Sequence, residues 1–121
     1  MITLPNEVSL SRSTTNKFAV IKQRTGITPN LMGRVALMKA LESNVNFGDL
    51  KSVESDGQKI PKDIFFGEEI DIYRLAIELY MAEQSIEADY KEIINGLVEY
   101  GAHMIPIVKT IIDLKNLEKV G

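Results

Sequence analysis

The sequence predicts a mainly α-helical protein that forms a single small domain over residues 1–121. A chain of 121 residues is long enough for one hydrophobic core and short for two. Its apolar fraction of 45% and charged fraction of 26% are typical of a folded globular protein. Apolar residues recur at spacings of three and four along several stretches, which is the period of amphipathic helices. We therefore expect a helical N-terminal unit followed by a helical C-terminal half.

Residues 7–12 alternate between polar and apolar side chains, with Val8 and Leu10 on one side. This period predicts a short strand. A strand of this length is not stable alone, so it needs a partner. The same segment of a second chain is one candidate for that partner.

A first helix is predicted to end near Thr25. The hydroxyl residues 13–15 are candidate N-caps, because their side chains accept hydrogen bonds from the first helical amides. Gly26 suits the left-handed position that ends a helix.

A second helix is predicted to begin at Pro29, with Thr28 as its N-cap, because proline has no amide hydrogen to leave unpaired there. Its apolar residues are too many for one narrow stripe, which predicts burial on several sides, including between subunits: Leu31, Met32, Val35, Leu37, Met38 and Leu41. Gly33 costs about 1 kcal/mol in helix propensity relative to alanine. The simplest reason to keep it is the close approach of another helix.

Residues 43–67 are predicted to be a loop with a small hairpin, in which Val53 and Ile60 flank an Asp56-Gly57 turn. A long helix is predicted over residues 68–84, and its turns are marked by Ile72, Leu75, Ala76, Leu79 and Tyr80.

Ser85 is the candidate N-cap of the following helix. Gly101 is expected to end or bend that helix, and Pro106 predicts a new helix that starts near Met104. This last segment is amphipathic through Ile105, Val108, Ile111, Ile112 and Leu114.

Charge is distributed unevenly along the chain, whose net charge is −3. Residues 1–41 hold six basic residues against Glu7 alone, a balance of +5, whereas residues 42–121 hold eight basic residues against sixteen acids, a balance of −8. Phosphate contacts depend on the local field, so a protein with a pI near 5.2 can still carry a basic DNA-binding face. The alternative is a solvated basic face that only balances the acidic remainder.

The candidate DNA-binding residues lie on the two N-terminal helices and at the strand that precedes them: Arg12, Lys17, Lys22, Arg24, Asn30, Arg34 and Lys39. Basic side chains and helix N-termini both bind phosphate. Thr28 also lies at the start of the second helix and can donate to a phosphate oxygen.

Catalysis, metals and cofactors have little support in the sequence. The chain has no cysteine and one histidine, His103, and its scattered glycines match no phosphate-binding loop. Glu68, Glu69 and Asp71 are more typical of a helix start than of a catalytic carboxylate cluster. We therefore expect a protein that is not an enzyme and has no cofactor. No apolar run is long enough to span a membrane, which predicts a cytoplasmic protein.

The order of strand, capped helix, turn and apolar helix resembles the ribbon-helix-helix pattern of small DNA-binding proteins. More narrowly, residues 8–42 are similar to the DndE family, the small member of the bacterial DNA phosphorothioation system. This resemblance rests on Leu10-Ser11, residues 21–30 (Ile-Lys-Gln-Arg-Thr-Gly-Ile-Thr-Pro-Asn), Arg34-Val35-Ala36-Leu37 and Leu41-Glu42. The chain departs from the family at Met104-Ile105-Pro106, so no role is carried over to that segment.

The resemblance implies a non-catalytic, helical, oligomeric subunit that binds duplex or nicked DNA through phosphate contacts. It also implies sulfurtransferase-like and ATPase partners from the same modification system, and a homo-oligomer for which we favour a tetramer over a dimer. Two alternatives remain open. One is a scaffold whose basic face binds an acidic partner protein, and the other is a ribbon-helix-helix repressor that binds a palindromic operator.

Overall fold

The computed structural model describes residues 3–87 and 89–106 and confirms a mainly α-helical protein with a small sheet. Its elements in chain order are β1 (Glu7–Ser9), α1 (Arg12–Thr25), α2 (Pro29–Ser43), β2 (Lys59–Pro61), α3 (Lys62–Phe66), α4 (Ile70–Gln84) and α5 (Tyr90–Met104). Two short 3₁₀ turns, Phe47–Asp49 and Gly67–Glu69, lie before β2 and before α4. None of the described helices is both long enough and apolar enough to cross a bilayer.

β1 makes hydrogen bonds within the chain on both of its sides. One edge pairs antiparallel with β2, where Val8 lies opposite Ile60. On the other edge the Ser9 amide donates to the Asn95 side chain of α5 over 3.1 Å. The partner that this strand needs is therefore β2, and pairing with a second chain stays a prediction. The predicted hairpin between Val53 and Ile60 is wrong, because Ile60 pairs with Val8. The ribbon-helix-helix pattern is not confirmed.

Helix α1 ends as predicted but begins earlier than expected. Gly26 ends it in the left-handed region with φ of 79°. At the other end the N-cap is Ser11, whose hydroxyl accepts a 3.1 Å hydrogen bond from the amide of Thr14. Residues 13–15 are thus inside the helix. The Thr15 hydroxyl donates to the carbonyl of Ser11 instead.

Helix α2 is the centre of the fold, and it begins with Thr28 and Pro29 as predicted. Its buried side faces α5 and α3, and consists of Met32, Gly33, Ala36, Leu37 and Ala40. The close approach predicted at Gly33 is confirmed, since a Cβ there would overlap the ring of Phe65 on α3. Packing within one chain therefore accounts for most of the apolar excess of α2.

Helix α4 buries a different face from the predicted one. Its buried residues are Tyr73, Ile77, Tyr80 and Met81, whereas Ile72, Leu75 and Leu79 are exposed. Both faces are apolar, and the buried one includes tyrosines whose hydroxyls find partners. The Tyr80 hydroxyl donates to the carbonyl of Val45 over 2.7 Å.

The connection from α4 to α5 also differs from the prediction. Ser85 ends α4 in the left-handed region with φ of 53° rather than capping the next helix. Asp89 caps α5 instead, and its carboxylate accepts a 3.1 Å hydrogen bond from the amide of Lys91. A carboxylate at this position also suits the positive end of the helix dipole.

Gly101 lies inside α5, so the prediction that it ends the helix is wrong. A Cβ at position 101 would overlap the carbonyl oxygen of Ala36, so the glycine allows the backbones of α5 and α2 to touch. Helix α5 continues to Met104. The helix predicted after Pro106 lies outside the described residues.

The α2–α5 contact can be tested with Gly101→Ala. Helix propensity alone favours alanine by about 1 kcal/mol. Overlap with the Ala36 carbonyl opposes this, and because a backbone atom must move, the cost lies at the upper end of the overpacking range, about 2–3 kcal/mol. We expect a net loss of about 1–2 kcal/mol in the free energy of unfolding, measured by urea titration. Gly48→Ala is the matched control, because a Cβ at position 48 meets no atom within 4 Å. Equal stability of the two variants would contradict the contact.

Candidate nucleic-acid interface

The candidate interface is the corner where α1 ends and α2 begins. Residues 26–28 join the two helices, and the left-handed Gly26 turns the chain sharply between them. Lys22 and Arg24 occupy the last turn of α1, and both are exposed. Their side chains make no hydrogen bond or ion pair within the described residues. We call this region, residues 22–31, the basic corner.

The start of α2 completes the basic corner with backbone donors. The first amides of any helix lack intrahelical acceptors, and they carry the positive end of the helix dipole. In α2 the Thr28 hydroxyl forms no cap hydrogen bond, Pro29 has no amide hydrogen, and the first turn contains no acid. The amides of Asn30 and Leu31 can therefore receive an external anion.

Acidic residues are absent from the sequence around the basic corner. The chain has no aspartate or glutamate between Glu7 and Glu42. In the described part of the chain, no carboxylate lies within 4.0 Å of any of the six basic side chains in that interval. Among the described residues, Arg74 and Lys91 form ion pairs with carboxylates, and the His103 ring lies 3.9 Å from the Glu99 carboxylate. Ion pairing with the described part of the chain therefore does not neutralise the positive charge of the N-terminal helices.

Lys17 binds α5 and is not part of the basic corner. Its Nζ donates a 2.6 Å hydrogen bond to the carbonyl of Ala102, near the end of α5. Burial lowers the pKa of the Lys17 ammonium below its usual range, and the nearby Glu99 carboxylate partly offsets that effect. The ammonium group is thus directed at α5 and is separated from the basic corner by more than one turn of α1.

Arg34 and Asn30 are both attached to α3. The Arg34 guanidinium donates to the carbonyl of Ile64 over 2.9 Å and also to the carbonyl of Phe65. The Asn30 side chain makes a longer hydrogen bond of 3.4 Å to the same Ile64 oxygen. These contacts hold α3 against the first half of α2.

Arg12 and Lys39 are outside the basic corner. Arg12 is exposed at the start of α1, where its backbone amide donates to the Asp56 carboxylate over 2.9 Å. The surrounding groove also contains Glu54 and Glu99, so its charge is mixed. Lys39 is half-buried on α2, five residues from Arg34 and therefore about 140° around the helix. The seven predicted residues thus do not converge on one surface.

Two residues that position α1 were not singled out from the sequence. Glu99 accepts hydrogen bonds from the Ser11 hydroxyl at 2.9 and 3.0 Å and from the Thr14 hydroxyl at 2.7 Å. Asn95, one turn earlier on α5, binds the Ser9 amide. Their signal was present: Asn95 and Glu99 are polar residues four apart within the mainly apolar stretch 93–102 of α5.

The remaining chemical candidates lie at exposed helix ends. His103 is in the last turn of α5, and its Nδ1 is 2.8 Å from the carbonyl of Glu99. Glu68, Glu69 and Asp71 are exposed at the start of α4. Over the residues that the structure describes, no group of three or more histidine, aspartate or glutamate side chains is placed to hold a metal ion.

Comparison with known proteins identifies the family. A family model described as DNA sulphur modification protein DndE matches residues 7–105. The crystal structure of DndE from Escherichia coli, involved in DNA phosphorothioation modification, is similar with a TM-score of 0.71 and 27% identity, over 87% of this chain and 100% of that one.

A crystal structure of a DndE mutant in which two glycines are replaced by lysine is similar with a TM-score of 0.68 and 25% identity, over 84% of this chain and 98% of that one. No curated protein matches the chain. The family model covers well over half of the sequence. The chain therefore belongs to the DndE family of DNA sulphur modification proteins.

Proposed function

We propose that this protein is a non-catalytic DNA-binding subunit of DNA phosphorothioate modification and that it contacts the DNA backbone through the basic corner. The observation that carries the proposal is the unneutralised charge of residues 8–41, which hold six basic side chains and no acid. Membership of the DndE family supports DNA as the context of that charge.

The basic corner suits a phosphate group for two reasons. Lys22 and Arg24 supply mobile positive charge, and the amides of Asn30 and Leu31 supply fixed donors at a helix N-terminus. Phosphate contacts of this kind fix a protein on DNA without reading its sequence. We therefore propose that binding tolerates many DNA sequences.

The other predicted residues have supporting roles in this proposal. Lys17 and Arg34 hold α1 and α3 in place through backbone carbonyls, and they add positive charge to the surrounding field. Arg12 lies at the opposite end of α1 and Lys39 lies in the second half of α2. Both reach a phosphate only if the duplex extends beyond the basic corner. The proposal thus places direct contacts on Lys22 and Arg24 first.

Neutralising the basic corner provides a direct test. Each phosphate neutralised contributes about −0.9 to the slope of log affinity against log salt. We expect Lys22→Ala with Arg24→Ala to make that slope less negative by about 1.8, equally on duplexes of different sequence. Fluorescence anisotropy over a range of salt concentrations measures it. No change of slope would contradict the assignment.

Lys17→Met is the matched control, because it also removes positive charge from α1. Loss of the Lys17 hydrogen bond should lower the free energy of unfolding by about 1 kcal/mol, the usual value of one hydrogen bond. The salt slope should stay nearly unchanged. The double alanine variant should instead change the salt slope and leave the free energy of unfolding nearly unchanged. If Lys17→Met changed the slope as much as the double variant does, the basic charge would be acting without regard to its position.

The two alternative functions have less support. A repressor of the ribbon-helix-helix class needs a strand that pairs with a second chain, whereas β1 already pairs with β2 of its own chain on one edge. A scaffold that binds an acidic protein would use the same basic corner. It differs by predicting no salt-dependent DNA binding, so the anisotropy titration separates it from the DNA-binding proposal. The sulfurtransferase-like and ATPase members of the system are the partners that we propose for either function.

We also propose that the protein acts as a homo-oligomer, with a tetramer favoured over a dimer, so that several basic corners converge on one DNA. Helix α2 still exposes Leu31 and Met38, which lie two turns apart on one side. Light scattering of the purified protein is expected to give four times the mass of the chain. Leu31→Ser with Met38→Ser should reduce that mass, and a monomer before substitution would contradict the proposal.

A further inference from the structure

An apolar line runs along the exposed side of α4. Its members follow one another at steps of three, four and three residues: Ile72, Leu75, Leu79 and Ala82. The first three are 66%, 57% and 55% exposed. In a helix the four side chains fall within an arc of about 80° and cover about 15 Å of its length. We call these four residues the apolar stripe. Contiguous exposed apolar surface of this kind marks an interaction site.

The spacing of the apolar stripe is that of a coiled-coil seam. Heptad repeats place apolar residues at alternating steps of three and four, and the resulting seam packs against the seam of another helix. The core formed by the described residues does not use the stripe, because the buried residues of α4 lie on the opposite side of the helix: Tyr73, Ile77, Tyr80 and Met81. Helix α4 is therefore held by one side and presents a helix-pairing surface on the other.

Acidic residues border the apolar stripe. Residues 68–84 hold five acids against Arg74 alone, a balance of −4. Asp71 and Glu78 lie along one border of the stripe, and Glu83 lies along the other. Asp71 forms a 2.8 Å ion pair with Arg74, whereas Glu83 is exposed and forms no ion pair within the described residues. The surroundings of the stripe therefore carry net negative charge.

This charge pattern selects the partner helix. Residues that flank a coiled-coil seam set partner choice, since opposite charges pair across the seam and like charges repel. Two copies of this chain joined through their stripes would place Asp71, Glu78 and Glu83 beside the same acids of the second copy. A membrane rich in anionic lipid is disfavoured for the same reason. The pattern favours a helix of another protein in which lysine or arginine flanks the apolar residues.

We propose that the apolar stripe docks a basic amphipathic helix of a partner protein, with apolar residues at heptad spacing and lysine or arginine on both sides of them. The stripe shares no residue with the basic corner, residues 22–31, so this docking does not depend on DNA binding. Helix α4 has fifteen residues and contributes about two heptads. A seam of this length gives a small interface, which is typical of transient complexes.

A synthetic helical peptide is the probe for this docking. It has roughly three heptads, with leucine at the seam positions and lysine at the flanking positions. A second peptide has the same composition, with its leucines moved out of heptad register. Each peptide is labelled with fluorescein, and its anisotropy is followed as the full chain is added at physiological salt. Leu75→Ser removes the centre of the stripe, and Ile64→Ser is its matched control, because Ile64 on α3 is 55% exposed.

We expect the full chain to bind the heptad peptide about tenfold more tightly than the scrambled peptide. Leu75→Ser should weaken that binding about tenfold, because burying a leucine side chain is worth at least that much, and Ile64→Ser should leave it unchanged. Circular dichroism checks that the two variants share one fold. Both variants should bind duplex DNA as the unchanged chain does, so this proposal and DNA binding at the basic corner can fail separately.

Equal affinity for the two peptides would mean that charge alone attracts them, and it would overturn the proposal. Equal weakening by the two substitutions, or no binding of the heptad peptide at all, would overturn it as well. A lower mass in light scattering with Leu75→Ser would identify a second copy as the occupant. Loss of binding to phosphatidylcholine vesicles with Leu75→Ser would identify a lipid surface instead. Either of these results would also overturn the proposal.

Discussion

The contact between α5 and the N-terminal half of the chain is the constraint on which the rest of the structure depends. One side of α5 touches the backbone of α2, because Gly101 leaves room for the Ala36 carbonyl. Its polar groups bind the chain from β1 to α1. Asn95 binds the Ser9 amide, Glu99 binds the Ser11 and Thr14 hydroxyls, and the Ala102 carbonyl binds Lys17. These contacts span about two turns of α5, so the helix sets the positions of β1, α1 and α2 together.

This arrangement explains why basic residues that the sequence does not distinguish make different contacts in the structure. Lys17 faces α5 and Arg34 faces α3, and both bind backbone carbonyls. Lys22 and Arg24 lie in the last turn of α1 and remain exposed beside the start of α2. Their side chains thus remain available to a phosphate. The helix junction places them beside the start of α2, and a pre-organised site limits the entropy lost when an anion binds.

Local signals in the sequence were sufficient to predict the helix junction. Gly26 and Pro29 act through their own backbone preferences, so their roles can be predicted without knowing what surrounds them. The unneutralised charge was likewise visible as the absence of acids between Glu7 and Glu42. A close contact at Gly33 was predictable, because a glycine inside a helix suggests a close neighbour, but its partner Phe65 was not.

Choices that depend on tertiary packing could not be predicted in this way. Helix α4 has two apolar sides, and the buried one includes Tyr80, whose hydroxyl binds the distant Val45 carbonyl. The Asp56-Gly57 turn signal did not form its predicted hairpin, because Ile60 pairs with Val8 more than fifty residues away in sequence. Ser85 ends one helix instead of starting the next. At Ile60 a long-range contact outweighed a local turn preference, whereas at Ser85 the helix end is closed by local hydrogen bonds to Met81 and Ala82.

The central claim is that DNA binds at the basic corner, and amide chemical shifts test it most directly. A ¹⁵N-labelled chain would be titrated at low salt with a short duplex. The claim predicts that the largest shift changes occur at the amides of Gly26, Asn30 and Leu31, because these lie at the junction of α1 and α2. Changes concentrated instead at the mixed-charge groove beside Arg12 and Asp56, or along α4, would contradict it.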